Sequence, residues 1–453
     1  MSVLFLLILS VLHLAALSQL KFTIWPEILS YPYLLLNNFL PYKDFILPYP
    51  PGLVFGLGLL YKILGISDFS LKIITWTWII ATDAMVYAIL LRNVKNTVAA
   101  LFLLLYIILQ SFLDGNQLWF DYAMLFPLLT SFWLFIKWSA TRNSRILFLM
   151  GLSMGMALII KQTTVIYTFL ILIYMAYLLK NKIIDLKDFL LGLFIPPFIV
   201  LIYLLYSGST SYFFNWVIYY PISYWPKFPG YVQFLITPAF TRIALSLLLP
   251  SIGVLLVLKK KVKNLPAVLF YLAAGLIAVY PRFSYFHLQP ALAFLIIFYA
   301  IIFENINSKL KYTYLILFIP IFLFINRLIL PFQVMQSPTV DSQVTFIKAL
   351  SQKKDRVFLV NVSSDKFVYS GTLPSRPWAD NFGWYLEIPS IQESVIKGIE
   401  MDAPRYVFRQ KPLDGNWFDL GVYEPKKILE YIKSNYTKIE EKDNMEVWQK
   451  NTK

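Results

Sequence analysis

Apolar runs of roughly 20 residues recur from residue 2 to about residue 330, separated by short connections that carry most of the polar side chains. A helix of that length crosses the hydrocarbon core of a bilayer and satisfies its own backbone hydrogen bonds there. The predicted spans, about eleven of them, are 2–19, 71–91, 97–113, 122–138, 146–160, 165–179, 189–206, 239–258, 267–280, 288–303 and 313–330. The fold class expected for residues 1–335 is therefore a mainly α, polytopic helical membrane domain.

Residues 50–65 are apolar but short for a span, and they open with Pro50-Pro51. A helix that lies at the outer interface or re-enters the membrane is favoured there over a full crossing.

The pattern changes after Leu330, where short alternating runs replace the long apolar ones. They predict helices at 339–352, 391–401 and 424–434, and strands at 356–362, 405–408 and 438–449. A small α/β domain is therefore expected at 336–453.

Charge then gives the expected orientation. The chain is 58% hydrophobic, has a net charge of +15 and contains no cysteine, so disulfides and thiolate metal sites are excluded. Nearly all of the basic excess precedes Leu330 and lies between apolar runs, which indicates lipid contact and orientation rather than nucleic acid. The connections expected inside carry more Lys and Arg in shorter loops. A multi-pass cell-membrane protein with an extracytoplasmic C-terminal domain is expected.

Two of the outer connections carry acids, which are costly this close to a bilayer. Residues 24–51 include Glu27 and Asp44, and residues 114–121 include Asp114 and Asp121. The two acids of residues 114–121 also have a structural interpretation. Asp114 precedes a glycine in a turn, and Asp121 is placed to cap the next helix.

Four sequence stretches, taken in order, resemble a known family. They read LPYKDF…PYPPG, KILGISDFSLKI, GLSMGMALIIKQTT and RFSYFHLQPALAF. In this order, followed by an outer C-terminal domain, they resemble GT-C superfamily integral-membrane glycosyltransferases of the protein mannosyltransferase and aminoarabinose transferase type, with RgtA/B/C/D-like relatives. The resemblance implies transfer of a sugar from a polyprenyl (dolichyl or undecaprenyl) phosphate on the outer face of the membrane.

The resemblance also implies site residues. Glu27 matches the catalytic acid of the first outer loop, although the family often has Asp or Asp-Glu where this chain has Pro26-Glu27. The second-loop acid falls on Asp121, or alternatively on Asp114. The WWDYG-type motif and the metal-binding acid pairs of the oligosaccharyltransferase branch are missing from the sequence. A metal-independent transfer without a cofactor is therefore expected.

Chemistry suggests roles for these residues. A lipid-linked sugar phosphate needs a base for the acceptor hydroxyl and cations for the departing phosphate. Glu27 is the expected base, Asp121 its partner, and direct displacement would invert the anomeric centre. The substrate-binding candidates, mostly at outer ends of spans, are Lys161, Arg282, His287, Asp44, Asp114 and Arg376.

Simpler interpretations of the cations stay open. Lys161 is able to snorkel to the interface, Arg282 to anchor a span there, and Arg376 to belong to an ordinary loop of the C-terminal domain. His13 and Asp83 lie within predicted spans, and we expect packing for the first and a structural pairing for the second.

Several function classes are compatible with such a chain. An enzyme is favoured, with membrane lipid, a polyprenyl-phosphate sugar and a glycan, lipid or protein acceptor as partners, and no nucleic acid. The alternatives are a transporter or flippase of lipid-linked sugars, which would be expected to show repeated halves, and a non-catalytic scaffold.

Overall fold

The computed structural model describes residues 2–179, 186–232, 262, 264–306, 341–415 and 421–452. By internal contacts the chain divides into two compact units, each formed from separate stretches of sequence. The first unit comprises Met1–Thr23, Lys72–Val200 and Gln233–Gln336, and the second comprises Ile24–Leu71, Leu201–Val232 and Ser337–Lys453.

Long apolar helices make up the first unit. They are α1 (Ser2–Gln19), α4 (Asp68–Asn93, from Lys72 onward), α5 (Asn96–Phe112), α6 (Phe120–Thr141), α7 (Ser144–Leu158), α8 (Thr164–Leu179), α9 (Lys187–Tyr206, as far as Val200), α12 (Leu265–Ile277) and α13 (Tyr285–Asn305). Helix α13 is buried along its whole length from Leu288 to Phe303 and packs on α5, α6 and α12. A helix that is apolar all round is expected at such a central position.

Glycines allow α7 and α9 to approach closely. A Cβ atom at Gly151 would lie 2.0 Å from the Phe189 carbonyl oxygen, and one at Gly192 would lie 2.1 Å from that of Phe148. Small residues at such positions let helix backbones touch.

Residues 24–51, the connection that follows α1, belong to the second unit and are partly helical. They hold α2 (Pro26–Leu36) and are followed by α3 (Gly52–Leu64). Proline at the first position and Glu27 in the first turn both favour a helix start, because the proline needs no donor there and the carboxylate meets the positive end of the helix dipole.

Residues 207–232 form short helical turns in the second unit: α10 (Thr210–Phe214), a π-helix (Asn215–Tyr219), α11 (Tyr220–Ser223) and a 3₁₀ turn (Trp225–Lys227). Aromatic side chains join these turns to the C-terminal part of the unit. Trp216 packs edge-on against Tyr385 with ring centroids 5.8 Å apart.

The C-terminal part of the second unit is a four-stranded mixed sheet with helices. Its strands are β1 (Val357–Val360), β2 (Tyr406–Gln410), β3 (Tyr436–Lys442) and β4 (Met445–Lys450), in the order β1-β2-β4-β3. Strands β1 and β2 are parallel, and the other two pairs are antiparallel. The helices are α14 (Ser342–Leu350), α15 (Asp365–Ser370), α16 (Gly383–Leu386), α17 (Ile391–Asp402) and α18 (Lys426–Asn435).

The α/β pattern predicted for this part of the chain is confirmed as a small mixed sheet with helices, but one strand prediction is wrong. The single strand expected at 438–449 is a hairpin, because Asp443 and Asn444 both take positive φ angles of 48° and 66°. Two such residues form the tight turn that joins antiparallel strands.

The prediction of a helical membrane protein is confirmed, whereas the exact number of spans stays a prediction. Four described helices have the length and composition of a span: Asp68–Asn93, Phe120–Thr141, Lys187–Tyr206 and Tyr285–Asn305. Several others are apolar but shorter. The predicted spans at 239–258 and 313–330 lie outside the described residues. Residues 52–64 are helical as expected, and their depth in a membrane stays a prediction.

Candidate functional site

Three side chains meet in the first unit at Asp121. The Lys161 Nζ atom donates to Asp121 Oδ2 at 2.5 Å, and the His287 Nδ1 atom lies 2.7 Å from the same oxygen. Lys161 Nζ and His287 Nδ1 are 3.4 Å apart. These three residues, which the sequence analysis selected separately, form one cluster.

Helix ends hold the cluster in place. Asp121 lies in the first turn of α6, which begins after the extended residue Trp119. Lys161 lies in the turn between α7 and α8, where its backbone N–H donates to the Ala157 carbonyl at 3.1 Å. His287 lies in the first turn of α13. The N-termini of α6 and α13 therefore lie near the carboxylate, and the positive ends of their dipoles favour the negative charge of Asp121.

The cluster is closed to water. Asp121 is fully buried, Lys161 is 5% exposed, and the His287 side chain is 17% exposed. Asp121 Oδ1 has no hydrogen-bond partner among the described residues. The Arg282 guanidinium is near enough to His287 for their charges to interact. Lys161 and Arg282 thus bring positive charge to this group, and Asp121 partly balances it.

A second set of buried polar groups lies in the second unit, around Glu27. This residue is 7% exposed, and its Oε2 atom has no hydrogen-bond partner within the described part of the chain. Burial raises the pKa of Glu27, and the nearby Asp380 carboxylate raises it further. Glu27 therefore keeps its proton to a higher pH than an ordinary glutamate does.

Asp380 was not among the predicted site residues. It is 3% exposed, and Tyr31 Oη donates to its Oδ2 atom at 2.8 Å. Only its proximity to Glu27 distinguishes it from other acids of that domain, and sequence spacing does not reveal that proximity. Trp378, two residues before Asp380, is 2% exposed.

Asp44 and Arg376 meet in the second unit. Arg376 Nη1 lies 3.5 Å from Asp44 Oδ2, and the guanidinium covers the Phe39 ring at 3.9 Å from its centroid. Beside them the backbones of Asp44 and Trp378 are joined by a hydrogen bond of 3.0 Å. These contacts join residues 24–51 to the C-terminal part of the second unit, which gives both residues a structural role.

Asp114 lies in the turn between α5 and α6. It takes a left-handed φ of 51°, and its carbonyl accepts from Gln117 Nε2 at 2.7 Å. Burial raises the pKa of its carboxyl group. The turn interpretation of Asp114 is therefore sufficient to explain its position.

Asp83 and His13 pair within the helices of the first unit. His13 Nδ1 lies 2.7 Å from Asp83 Oδ2, and His13 Nε2 lies 2.8 Å from Gln110 Oε1. All three side chains are fully buried. Asp83 thus has the structural pairing that we expected, with an imidazole as the partner.

No family model and no curated protein matches this chain by sequence. Solved structures match it by fold. ArnT from Cupriavidus metallidurans in the apo state superposes with a TM-score of 0.64 at 10% identity, covering 98% of this chain and 97% of that one. The chain has the GT-C fold.

Other structures of this fold support the same assignment. ArnT from Cupriavidus metallidurans bound to undecaprenyl phosphate matches at a TM-score of 0.59 and 9% identity, with coverage of 98% and 97%. The archaeal oligosaccharyltransferase AglB from Archaeoglobus fulgidus, in complex with an inhibitory peptide and a dolichol-phosphate, matches at 0.51 and 11% identity, with coverage of 90% and 69%. The resemblance drawn from the sequence motifs is confirmed at the level of fold.

Proposed function

We propose that this GT-C chain is a glycosyltransferase that moves a sugar from a polyprenyl phosphate to an acceptor on the outer face of the membrane. The observation that carries the proposal is the convergence of Lys161 and His287 on Asp121, in a fold whose other members were solved with undecaprenyl phosphate or a dolichol-phosphate bound. The proposed acceptor is a glycan, lipid or protein.

The Asp121 cluster is proposed to bind the phosphate of the donor. Lys161 has three N–H donors and uses one on Asp121, and His287 retains Nε2 as the ring nitrogen outside that contact. A phosphate placed beside them gains charge-assisted hydrogen bonds, and Arg282 adds a further positive charge. As the sugar leaves, negative charge grows on the phosphate, which these groups stabilise in a site closed to water.

Asp121, which the sequence analysis expects to be the partner of Glu27, is proposed here to act on Lys161 and His287. Its Oδ2 atom holds both Lys161 and His287, so its task is to orient the two phosphate ligands and to balance their charge before the donor arrives. Without it, the charge of Lys161 would be buried with no opposite charge beside it, which is costly.

Glu27 is proposed as the general base for the acceptor hydroxyl. A base works best when its pKa lies near the working pH, and burial moves the pKa of Glu27 in that direction. Direct attack by the acceptor oxygen on the anomeric carbon breaks the bond to the phosphate oxygen, so the configuration is inverted. Metal independence also belongs to this proposal, because cationic side chains take the place of a metal at the phosphate.

The test is sugar transfer by the purified chain in nanodiscs, supplied with radiolabelled polyprenyl-phosphate sugars and a membrane extract as the source of acceptor. The Glu27→Gln variant should lose about 10²–10⁴-fold in rate, which is the usual contribution of a general base. The matched control is Glu400→Gln, because Glu400 is an exposed glutamate. This variant should transfer the sugar at the normal rate. Normal transfer by well-folded Glu27→Gln would remove Glu27 from the mechanism.

Orientation needs its own measurement. The C-terminal domain is proposed to lie outside the cell. A protease site added after Lys453 should be cut in intact cells, and cutting only in inverted vesicles would overturn that orientation.

A further inference from the structure

One face of α2 carries three polar residues into the interior of the second unit. Glu27, Ser30 and Tyr31 are spaced i, i+3 and i+4, so they share one side of the helix. All three are buried, with Ser30 at 0% and Tyr31 at 1% exposed. Polar groups buried in this way need partners, and those of Ser30 and Tyr31 come from the C-terminal domain.

The partners form one hydrogen-bonded network. Tyr31 Oη donates to Asp380 Oδ2 at 2.8 Å, and Ser30 Oγ donates to Ser364 Oγ at 3.1 Å. The Ser364 side chain also bonds to Asp380. Two residues of the α2 face are thus tied, directly or through Ser364, to Asp380, while the Oε2 atom of the third, Glu27, is left without a partner among the described residues.

We propose that Asp380 is a positioning residue for Glu27, held by the Tyr31 and Ser364 hydroxyls against the face of α2 that carries Glu27. This inference rests on the proposed role of Glu27 as general base. Asp380 touches neither the donor nor the acceptor in this scheme, and it acts only through Glu27.

The surrounding charges support this arrangement. Burial raises the pKa of Glu27 first, Asp380 raises it next, and Asp365 adds a smaller effect. Asp365 is paired with Lys366 at 3.3 Å, which weakens its influence on Glu27. The remaining titratable groups on the elements packed against this face are Tyr31, Tyr61, Asp68, Asp341, Tyr369 and Tyr385.

The hydroxyl donors act on Asp380 in the opposite direction. Burial raises the pKa of Asp380, whereas the bonds from Tyr31 and Ser364 lower it. Loss of the Tyr31 hydroxyl should therefore protonate Asp380 more readily and remove its negative charge from beside Glu27. Glu27 would then ionise at a lower pH, as it would in Asp380→Asn.

The experiment follows the carboxylic acid C=O infrared band of the full chain in nanodiscs through a pH titration. The band that Glu27→Gln removes belongs to Glu27. In Asp380→Asn, the midpoint of that band should move down by about one pH unit, since a neighbouring like charge has an effect of that order. In Tyr31→Phe, the midpoint should move in the same direction by a smaller amount, because Asp380 keeps part of its charge. The rising limb of the pH–rate profile for sugar transfer should move with it.

Tyr33→Phe is the matched control. Tyr33 lies on the same helix and donates its hydroxyl to the Thr372 carbonyl at 3.1 Å, so it also joins α2 to the C-terminal domain, but it touches no carboxylate. Its removal should leave the midpoint unchanged. If the Tyr31 contact only joined α2 to the C-terminal domain, Tyr31→Phe and Tyr33→Phe would have the same midpoint for the Glu27 band.

The outcomes separate this inference from the proposed function. An unmoved midpoint in Asp380→Asn, or in Tyr31→Phe if Asp380→Asn fails to fold, overturns the role of Asp380. A shifted midpoint combined with normal transfer by Glu27→Gln keeps the effect of Asp380 on Glu27 but overturns Glu27 as the base, and with it the positioning role in catalysis.

Discussion

The buried pairing of Lys161 with Asp121 predicts an unequal response to removal of either charge. The Asp121 side chain is 0% exposed and that of Lys161 is 7% exposed. Breaking a buried pair by removing one partner costs about 3–5 kcal/mol, because the other charge stays buried. Asp121→Asn should reach that range, since it leaves Lys161 charged and also ends the contact with His287.

Lys161→Met should cost less than Asp121→Asn, because His287 still donates to Asp121. The double variant Asp121→Asn/Lys161→Met removes both charges, so its loss should fall short of the sum of the single losses by about 2–3 kcal/mol. The assay is the free energy of unfolding in lipid–detergent micelles, measured by denaturant titration.

The control is Lys137→Met, which lies in α6 together with Asp121. Lys137 Nζ lies 3.4 Å from the centroid of the Trp133 ring, a contact worth about 0.5–1 kcal/mol. Its loss should add to that of Asp121→Asn without coupling. Additive losses in the Asp121 and Lys161 double variant, within about 0.5 kcal/mol, would refute the pairing.

Three further predictions concern stability. Gly151→Ala should destabilise the chain by about 1–3 kcal/mol, because its Cβ atom would meet the Phe189 carbonyl, whereas Gly56→Ala has open space and should be neutral or stabilising in thermal unfolding. Asn116→Ala should lower the unfolding temperature, because the Asn116 amide donates to three backbone carbonyls that follow or end α1. Because the pKa of Glu27 is raised, the folded chain binds more protons than the unfolded one above the ordinary glutamate range, and the free energy of unfolding falls as pH rises. Glu27→Gln should reduce this fall when the free energy of unfolding is measured from pH 5 to pH 9.

Sequence periodicity was sufficient to predict the helical membrane domain and most elements of the C-terminal domain. Long apolar runs and alternating short ones depend on local spacing, which a single sequence displays. The hairpin turn at Asp443 and Asn444 was missed because two polar residues within a strand-like run look like solvent-facing positions. Helix α2 was not predicted, and it contains Pro26 at its first position and Pro32 in its interior.

The site was predictable in part. Asp121, Lys161 and His287 were each found because polar groups at span ends are few, and the structure brings them together across 166 positions of sequence. Asp380 was not found, because its meeting with α2 depends on how the C-terminal domain folds onto residues 24–71. Asp44 and Arg376 lie 3.5 Å apart, and their role in substrate binding stays a prediction.

The most direct test of the account follows both products of the proposed reaction. The purified chain in nanodiscs would receive a polyprenyl-phosphate sugar labelled in both the sugar and the phosphate. The account predicts one free polyprenyl phosphate for each sugar joined to an acceptor, and little of either product with Lys161→Met. Movement of intact donor across the membrane in proteoliposomes, without cleavage of the bond between sugar and phosphate, would contradict the account and favour a transporter.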